Sequence, residues 1–340
     1  MKKRRVTIHD IARELNTTAS TVSRALQDHP RISKVTKEAV WDLAKKLNYQ
    51  PNSIASSLRK GKGNTIGVII PRIDRYFFSA VISGIEDVAY EDGYNVMICQ
   101  SYDSIKREKA IIENLINGKV DGLVISVAYE TIDISHFHLV QSKGVPLLFF
   151  DRVPDNIDAS KVEIDDFAGA FKATEHLIDQ GCKNIVHFAG PRHVSIYRNR
   201  FEGYKAALLK HNIPFNDQLV FDGVITKEKG SEAIEKIISM KPKPDGIFSS
   251  GDFSALGAIV KMKELNIRIP EDIAIVGFAN EPYAEILDPP LSSVDQHSTE
   301  MGQSIAKLFL EEVNANVSNV APKRIILSPD LYIRKSSLRK

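Results

Sequence analysis

The chain has 340 residues, 43% of them hydrophobic and 26% charged, and a formal net charge of +2. That length exceeds one average domain, the composition is globular rather than disordered or fibrous, and no apolar run approaches the ~18 residues of a membrane span. Two cysteines, Cys99 and Cys182, are too few for a disulfide framework or a thiolate metal centre, and His9, Asp10, Arg13 and Glu14 interrupt any signal-peptide core, so a cytoplasmic location is expected. The charge is unevenly spread: residues 1–62 sum to +9 and the rest to −7. A basic head on an acidic body is the footprint of nucleic-acid binding, because lysines and arginines that neutralise phosphates release counterions. A membrane-surface patch fits less well, since the head is patterned for burial rather than as one basic amphipathic helix.

In chain order, Thr7 caps a first helix over Ile8–Leu15, with Ile8, Ile11, Ala12 and Leu15 on one face and Asp10 placed for a capping box. Asn16-Thr17 is a turn, and Thr18 caps a second helix over Ala19–Leu26. Only Val22, Ala25 and Leu26 of that helix face a core; hydroxyls and Arg24 cover the rest. After Asp28-His29-Pro30, Ser33 caps a third helix reaching Leu47, with Val35 or Ala39, then Val40, Leu43, Ala44 and Leu47 inward. Helix, tight turn and helix with a polar outer face form a helix-turn-helix, whose second helix enters the DNA major groove. Ala19, Ser20 and Arg24 are the outward positions of that helix. Arg24 suits a guanine edge, Ser20 several bases and Ala19 a thymine methyl. Thr7, Thr18, Thr21 and Ser23 are placed to hold phosphates and set register. A plain three-helix bundle is the alternative, but hydroxyl-rich faces are a poor way to build a merely structural helix.

Tyr49-Gln50-Pro51-Asn52 is an extended break. Ser53–Arg59 follows as a short segment with helical potential, marginal alone, and Lys60–Asn64 as a basic linker. From Thr65 the texture becomes alternating strands and helices. Strands are expected at Ile66–Ile70, Asn95–Cys99, Gly122–Ile125 and Pro146–Phe150, and helices at Phe78–Asp92 and Ile105–Asn117. After Ile164 the pattern begins again, with strands at Asn184–Phe188, Gly246–Phe248 and Ala274–Phe278 and helices at Arg200–His211 and Ala255–Leu265. Two such runs in tandem imply two α/β lobes with parallel sheets and a ligand site between them, at the carboxyl ends of the strands.

Several segments then resemble the lactose-repressor (LacI) family of bacterial regulators. In the head these are Val6-Thr7-Ile8-His9-Asp10-Ile11-Ala12 and Thr21-Val22-Ser23-Arg24-Ala25-Leu26, followed by Leu47-Asn48-Tyr49-Gln50-Pro51-Asn52 and Ala55-Ser56-Ser57-Leu58. In the body they include Phe150-Asp151-Arg152, Arg200-Phe201-Glu202-Gly203-Tyr204, Gly251-Asp252, Val276-Gly277-Phe278 and Pro290-Leu291-Ser292-Ser293-Val294. The resemblance runs along essentially the whole chain. It implies a small all-α helix-turn-helix head (1–50), a hinge helix and linker (51–64), and a two-lobed, periplasmic-binding-protein-like α/β core (65–340). It further implies a repressor homodimer that binds pseudo-palindromic double-stranded operator DNA and answers to a small effector, with no cofactor, metal or membrane. Asn52, Ala55 and Leu58 would complete the DNA-contacting set, Leu58 as a minor-groove wedge. Phe77, Phe78, Asp151, Ile164, Arg200, Ile225, Asp252 and Gln296 would line the effector cleft, Arg200 with a fork of donors.

One departure bears on the effector. Sugar-binding members carry Asp after the Gly-Phe pair, where this chain has Ala279 and Asn280. The loop Pro191–Arg200 holds three arginines and a histidine, so an anionic effector, a sugar acid or phosphate, is expected. The tail Tyr332–Lys340 has no leucine heptads, which favours a dimer over a tetramer. A doubly wound enzyme is a poor rival: Gly61-x-Gly63 precedes its strand, and His136 with His138 is a weak metal pattern. A sugar-transport receptor shares the body, but not the basic head.

Overall fold

The computed structural model describes residues 6–49, 63–315 and 321–339. They fall into two compact units that divide between Gly63 and Asn64, each treated on its own below. The hinge positions Asn52, Ala55 and Leu58 lie outside the described residues.

The first unit packs three helices, α1 (Ile8–Glu14), α2 (Ala19–Leu26) and α3 (Lys34–Lys46). Each start is chemically marked. Asp10 accepts from both the Thr7 backbone N–H (2.9 Å) and its hydroxyl (2.8 Å), while Thr18 and Ser33 accept from the N–H groups of Thr21 and Thr36, each at 3.2 Å. Such caps satisfy donors that a helix start leaves unpaired. Ile11, Ala12, Val22, Ala25, Val40 and Ala44 form the small core. The expected start of the α3 inner face is corrected: Val35 is 76% exposed and Ala39 is exposed too. Val35 sits in the first turn of α3, and the buried face of that helix begins only at Val40.

The second unit is two α/β lobes. The first is entered through β1 (Thr65–Ile70), α4 (Tyr76–Glu91), β2 (Asn95–Gln100), α5 (Ile105–Asn117), β3 (Gly122–Ile125), α6 (Ser135–Ser142), β4 (Leu147–Phe150) and β5 (Lys161–Ile164). The chain then builds α7 (Asp166–Asp179), β6 (Ile185–Ala189), α8 (Ser195–Lys210), β7 (Val220–Asp222), α9 (Lys227–Ile237), β8 (Gly246–Ser249), α10 (Asp252–Glu264), β9 (Ala274–Phe278), α11 (Tyr283–Ile286) and β10 (Ser292–Asp295). It ends with α12 (Ser298–Asn314), β11 (Arg324–Leu327) and β12 (Asp330–Tyr332). The sheet orders are β11-β5-β4-β3-β1-β2 and β12-β10-β9-β8-β6-β7, parallel except for the antiparallel β12. The central strands β3 and β4 are buried at every position, which is why they read as continuous apolar runs.

The lobes are not two runs in tandem. β11 joins β5 in the first sheet although it lies near the end of the chain, and α12 packs on α4 of the same lobe. That contact is close enough to need glycine on both sides. A Cβ on Gly84 would stand 2.2 Å from the Thr299 carbonyl oxygen, and one on Gly302 would stand 2.1 Å from that of Val81. The chain therefore crosses between lobes three times, at 165, at 296–297 and at 328–329. Local periodicity does not encode which sheet a strand joins.

Candidate functional site

In the head unit, α2 presents an exposed polar surface. Thr18 Oγ1 lies 2.8 Å from Ser20 Oγ and 2.9 Å from Thr21 Oγ1, so three hydroxyls cluster at the helix start, where unpaired backbone N–H groups favour an anion. Ser20 and Arg24 are exposed; Thr7, Thr21 and Ser23 are half-buried. Ala19 differs from the expectation of an outward methyl, because it packs half-buried against the head core. Arg24 is thus the long donor on this face, one turn beyond the hydroxyl cluster.

In the core unit, the carboxyl ends of the two sheets face each other. β4 runs straight into Asp151 and Arg152, which are 4% and 5% exposed. Asp151 has φ 58°, accepts from the Ser126 hydroxyl at 3.1 Å, and is pushed up in pKa by burial, with Arg152 and Arg200 opposing. Arg152 bonds to Asp103 and lies 4.0 Å over the Tyr129 ring. Across the cleft, Arg200 is 4% exposed. It donates to Asp166 Oδ1 and to the Ser250 carbonyl, both at 2.7 Å, and stacks 3.7 Å from the Phe278 ring. Burial pushes the Asp166 carboxyl up to about 7 against the pull of Arg200. Among the described residues, Arg152 Nε, Arg200 Nη2 and Ser250 Oγ are buried without a hydrogen-bond partner. Orphaned buried donors are costly and rare, and three of them lie at this cleft.

Arg200 was expected at a helix start but lies inside α8, which begins at Ser195. Likewise Phe77 and Phe78, expected in a loop and at the first position of a helix, both occupy the first turn of α4. Phe78 meets Phe150 edge-on at 6.4 Å and lies 5.8 Å from the Arg152 guanidinium. Ile164 is part of the first lobe's core, Ile225 packs against the cluster of Val194, Ile196 and Tyr197, and Gln296 is 4% exposed just after β10. Tyr129, Tyr197, Arg152, Asp166 and Ser250 were not expected. Only Arg152 carried a local signal, a charge directly after an apolar strand.

Asp252 is also braced within its own lobe. One oxygen accepts from the Ser293 hydroxyl (2.6 Å), the other from the Glu281 N–H (2.8 Å), and burial pushes its pKa up to about 7. It thereby pins β10 and the loop after β9. In that loop Ala279 has φ 121°, a region that only glycine enters without strain of roughly 1–3 kcal/mol. Ala279→Gly is therefore expected to raise the calorimetric melting temperature; a lower value would mean that the lost methyl packing outweighs the relieved strain.

On the side of the cleft near Tyr129, the lobes are joined by their own side chains. The Tyr129 and Tyr197 hydroxyls share a 2.8 Å hydrogen bond, and His193 Nε2 donates to the Tyr129 carbonyl at 2.7 Å. The Val153 N–H donates to Ser195 Oγ at 3.4 Å, and Arg198 pairs with Asp155 at 2.7 Å. The described cleft is closed.

Comparison with known proteins matches residues 7–52 to the model for bacterial regulatory proteins of the lacI family and residues 174–337 to the periplasmic binding protein-like domain. The HTH-type transcriptional repressor PurR of Pasteurella multocida is 30% identical, the match covering 97% of this chain and 98% of that protein. A transcriptional regulator CelR–cellobiose complex superposes with a TM-score of 0.74 at 26% identity, covering 98% of this chain and all of the other. The lac repressor dimer bound to operator and the anti-inducer ONPF gives 0.86 at 24% identity, over 99% of this chain and all of that one, a likeness of fold.

Proposed function

The chain belongs to the LacI family of bacterial regulators, and we propose on that premise that it is a transcriptional repressor whose grip on operator DNA is set by a small effector. The observation that carries the DNA half is α2, with Arg24 and Ser20 exposed beside a cluster of hydroxyls at the helix start. Arg24 reads a guanine through two hydrogen bonds in the major groove, and Thr7, Thr18, Thr21 and Ser23 serve backbone phosphates. The working form is a cytoplasmic homodimer on a pseudo-palindromic site, with residues 51–64 as the joint between a 1–50 head and a 65–340 core. In gel shifts on the DNA upstream of the chain's own gene, Arg24→Ala is expected to weaken specific binding roughly ten- to a hundred-fold, since such a contact contributes ~1–3 kcal/mol. The variant should leave binding to random DNA nearly unchanged; equal loss on both would remove the base-reading role.

The effector half rests on the orphaned donors of Arg152, Arg200 and Ser250, set beside the Asp151 carboxylate. Donors and acceptors so mixed suit a hydroxylated, carbohydrate-type effector. Its charge has two readings. A sugar acid or phosphate was expected from the arginines of the 191–200 loop. In the structure each already faces a carboxylate: Arg192 with Asp222 (3.4 Å), Arg198 with Asp155 (2.7 Å) and Arg200 with Asp166 (2.7 Å). Positive charge is thus largely compensated, which favours a neutral polyol. Thermal shifts with neutral sugars, sugar acids and sugar phosphates test this; a response confined to the acids or phosphates would reverse the choice.

A further inference from the structure

Glu108 on α5 is fully buried. A carboxylate taken out of water is costly unless donors surround it, and those around this one come from a single stretch of chain. The Ala128 N–H donates at 2.8 Å, the Thr131 hydroxyl at 2.7 Å, and His136 Nε2 lies 2.9 Å away. Two further acids fasten the middle of that stretch. Asp103 accepts from the Tyr129 N–H at 3.2 Å, and Glu130 accepts at 3.1 Å from the Ile105 N–H at the start of α5. Three carboxylates, one of them without any exposure to water, thus fix one short loop, and the residue that this loop sends across the cleft is Tyr129.

Tyr129 meets the second lobe with both its side chain and its backbone. Its hydroxyl shares the 2.8 Å hydrogen bond with Tyr197, and its carbonyl accepts from His193 at 2.7 Å. Tyr197 is 7% exposed, and burial keeps its hydroxyl well above the ordinary 10, so it stays protonated near neutral pH. Each tyrosine lies against one arginine of the cleft: Arg152 sits 4.0 Å over the Tyr129 ring and Arg200 5.8 Å from that of Tyr197. The Arg198–Asp155 pair also crosses between the lobes, but its side chains are 38% and 58% exposed, and ion pairs so open to water hold little. The better-shielded tyrosine pair carries more of the junction. We propose that Tyr129 and Tyr197 form a latch that holds the two lobes together through the chain's own groups, and that Glu108 is the positioning residue that sets the first-lobe half of it. The closed arrangement is then the resting one, which an effector reinforces rather than creates, and a molecule entering the cleft waits for the latch to part. None of this depends on what the effector is.

Hydrogen exchange on the full-length protein, read at single amides by mass spectrometry, tests it. The Val153 N–H crosses the cleft to Ser195 Oγ, whereas the Ala128 N–H stays on Glu108 within the first lobe. Tyr197→Phe removes only the shared hydroxyl; it is expected to speed exchange at Val153 about five-fold, the size of one hydrogen bond, and to leave Ala128 unchanged. Glu108→Gln should speed both amides. In the double variant the gain at Val153 should fall clearly short of the product of the two single effects, since both changes act through one contact. Tyr129→Phe breaks the same bond from the other side, and Thr131→Val removes one tie between Glu108 and the loop; they serve, with the same expected pattern, if a first variant does not fold. Unchanged exchange at Val153 in both tyrosine variants would overturn the latch. An effect of Glu108→Gln confined to Ala128, or single effects that simply multiply, would overturn the positioning role and leave Glu108 a local brace.

Discussion

Arg200→Ala is expected to destabilise the core by roughly 3–5 kcal/mol and to abolish the response to effector. The size follows from what remains. Asp166, 3% exposed, would keep a buried carboxyl without its cation, and removing one member of a buried pair is costly because the other stays buried only by taking up a proton. The Ser250 carbonyl loses a 2.7 Å donor at the same time. The variant also has a distinctive dependence on pH. In the intact protein burial already places the Asp166 carboxyl near 7, above its ordinary 3.8, with Arg200 pulling the other way; without Arg200 it rises further. A carboxyl raised in the folded state favours folding when protonated. That stability is complete below about pH 4 and is lost as pH climbs through the folded value, at ~1.4 kcal/mol per pH unit. Arg200→Ala should therefore melt higher at pH 5 than at pH 7.5, with a steeper trend than the parent protein. Arg200→Lys restores charge but not the planar fork, so it should recover part of the stability and little of the effector response. A variant that melts like the parent at pH 7.5 would contradict the pairing.

Gly277→Ala should be nearly as damaging, for a reason of space. A Cβ there would stand 2.0 Å from Asp252 Oδ1 and 3.2 Å from Leu291 Cδ2. The carboxylate can retreat only by giving up Ser293 and the Glu281 N–H, bonds of 2.6 and 2.8 Å. Hydrogen bonds to charged groups contribute ~1.5–3 kcal/mol each, so a loss of about 3–5 kcal/mol is expected in urea denaturation. Because the clash and the broken bonds share one carboxylate, Gly277→Ala with Asp252→Ala should cost clearly less than the two single changes added. Strict additivity would show that the methyl group is accommodated elsewhere.

Much of the framework was readable in the sequence, and the failures share a cause. The bounds of α5, β3 and β9 match expectation, because each is a strongly patterned segment whose identity is local. The capped starts of α2 and α3 follow from Thr18 and Ser33 in the same way. What the sequence did not disclose is pairing at a distance. β5 finds β11 across more than 150 residues, and nothing in Arg324–Leu327 announces which lobe it joins. The cleft repeats the lesson. Asp151 stands out as a charge at the end of an apolar strand and Arg200 as one of three arginines in its loop, but the partners of Arg200 lie 34 and 50 residues away and Tyr129 lies 68 from Tyr197. Asp252 was expected in the effector cleft, and its hydrogen bonds to Ser293 and the Glu281 N–H, which brace the loop after β9, were not legible. The charge of the effector is a similar case, since the arginines of the 191–200 loop are legible in the sequence and the carboxylates that the fold brings to meet them are not.

The three crossings between lobes have a consequence for the order in which the molecule comes into being. During synthesis the head, closed by residue 49, is finished while most of the chain is still to be made. The first lobe cannot follow at once. Its helix α4 lacks its neighbour until α12 is translated, and β5 remains an open edge until β11 arrives near the end. The second lobe waits for β12. Both lobes are thus completed almost together, within the final few dozen residues, although their first strands emerge far apart in time. For most of the synthesis of these residues the head has all its helices while both lobes still lack elements that complete them.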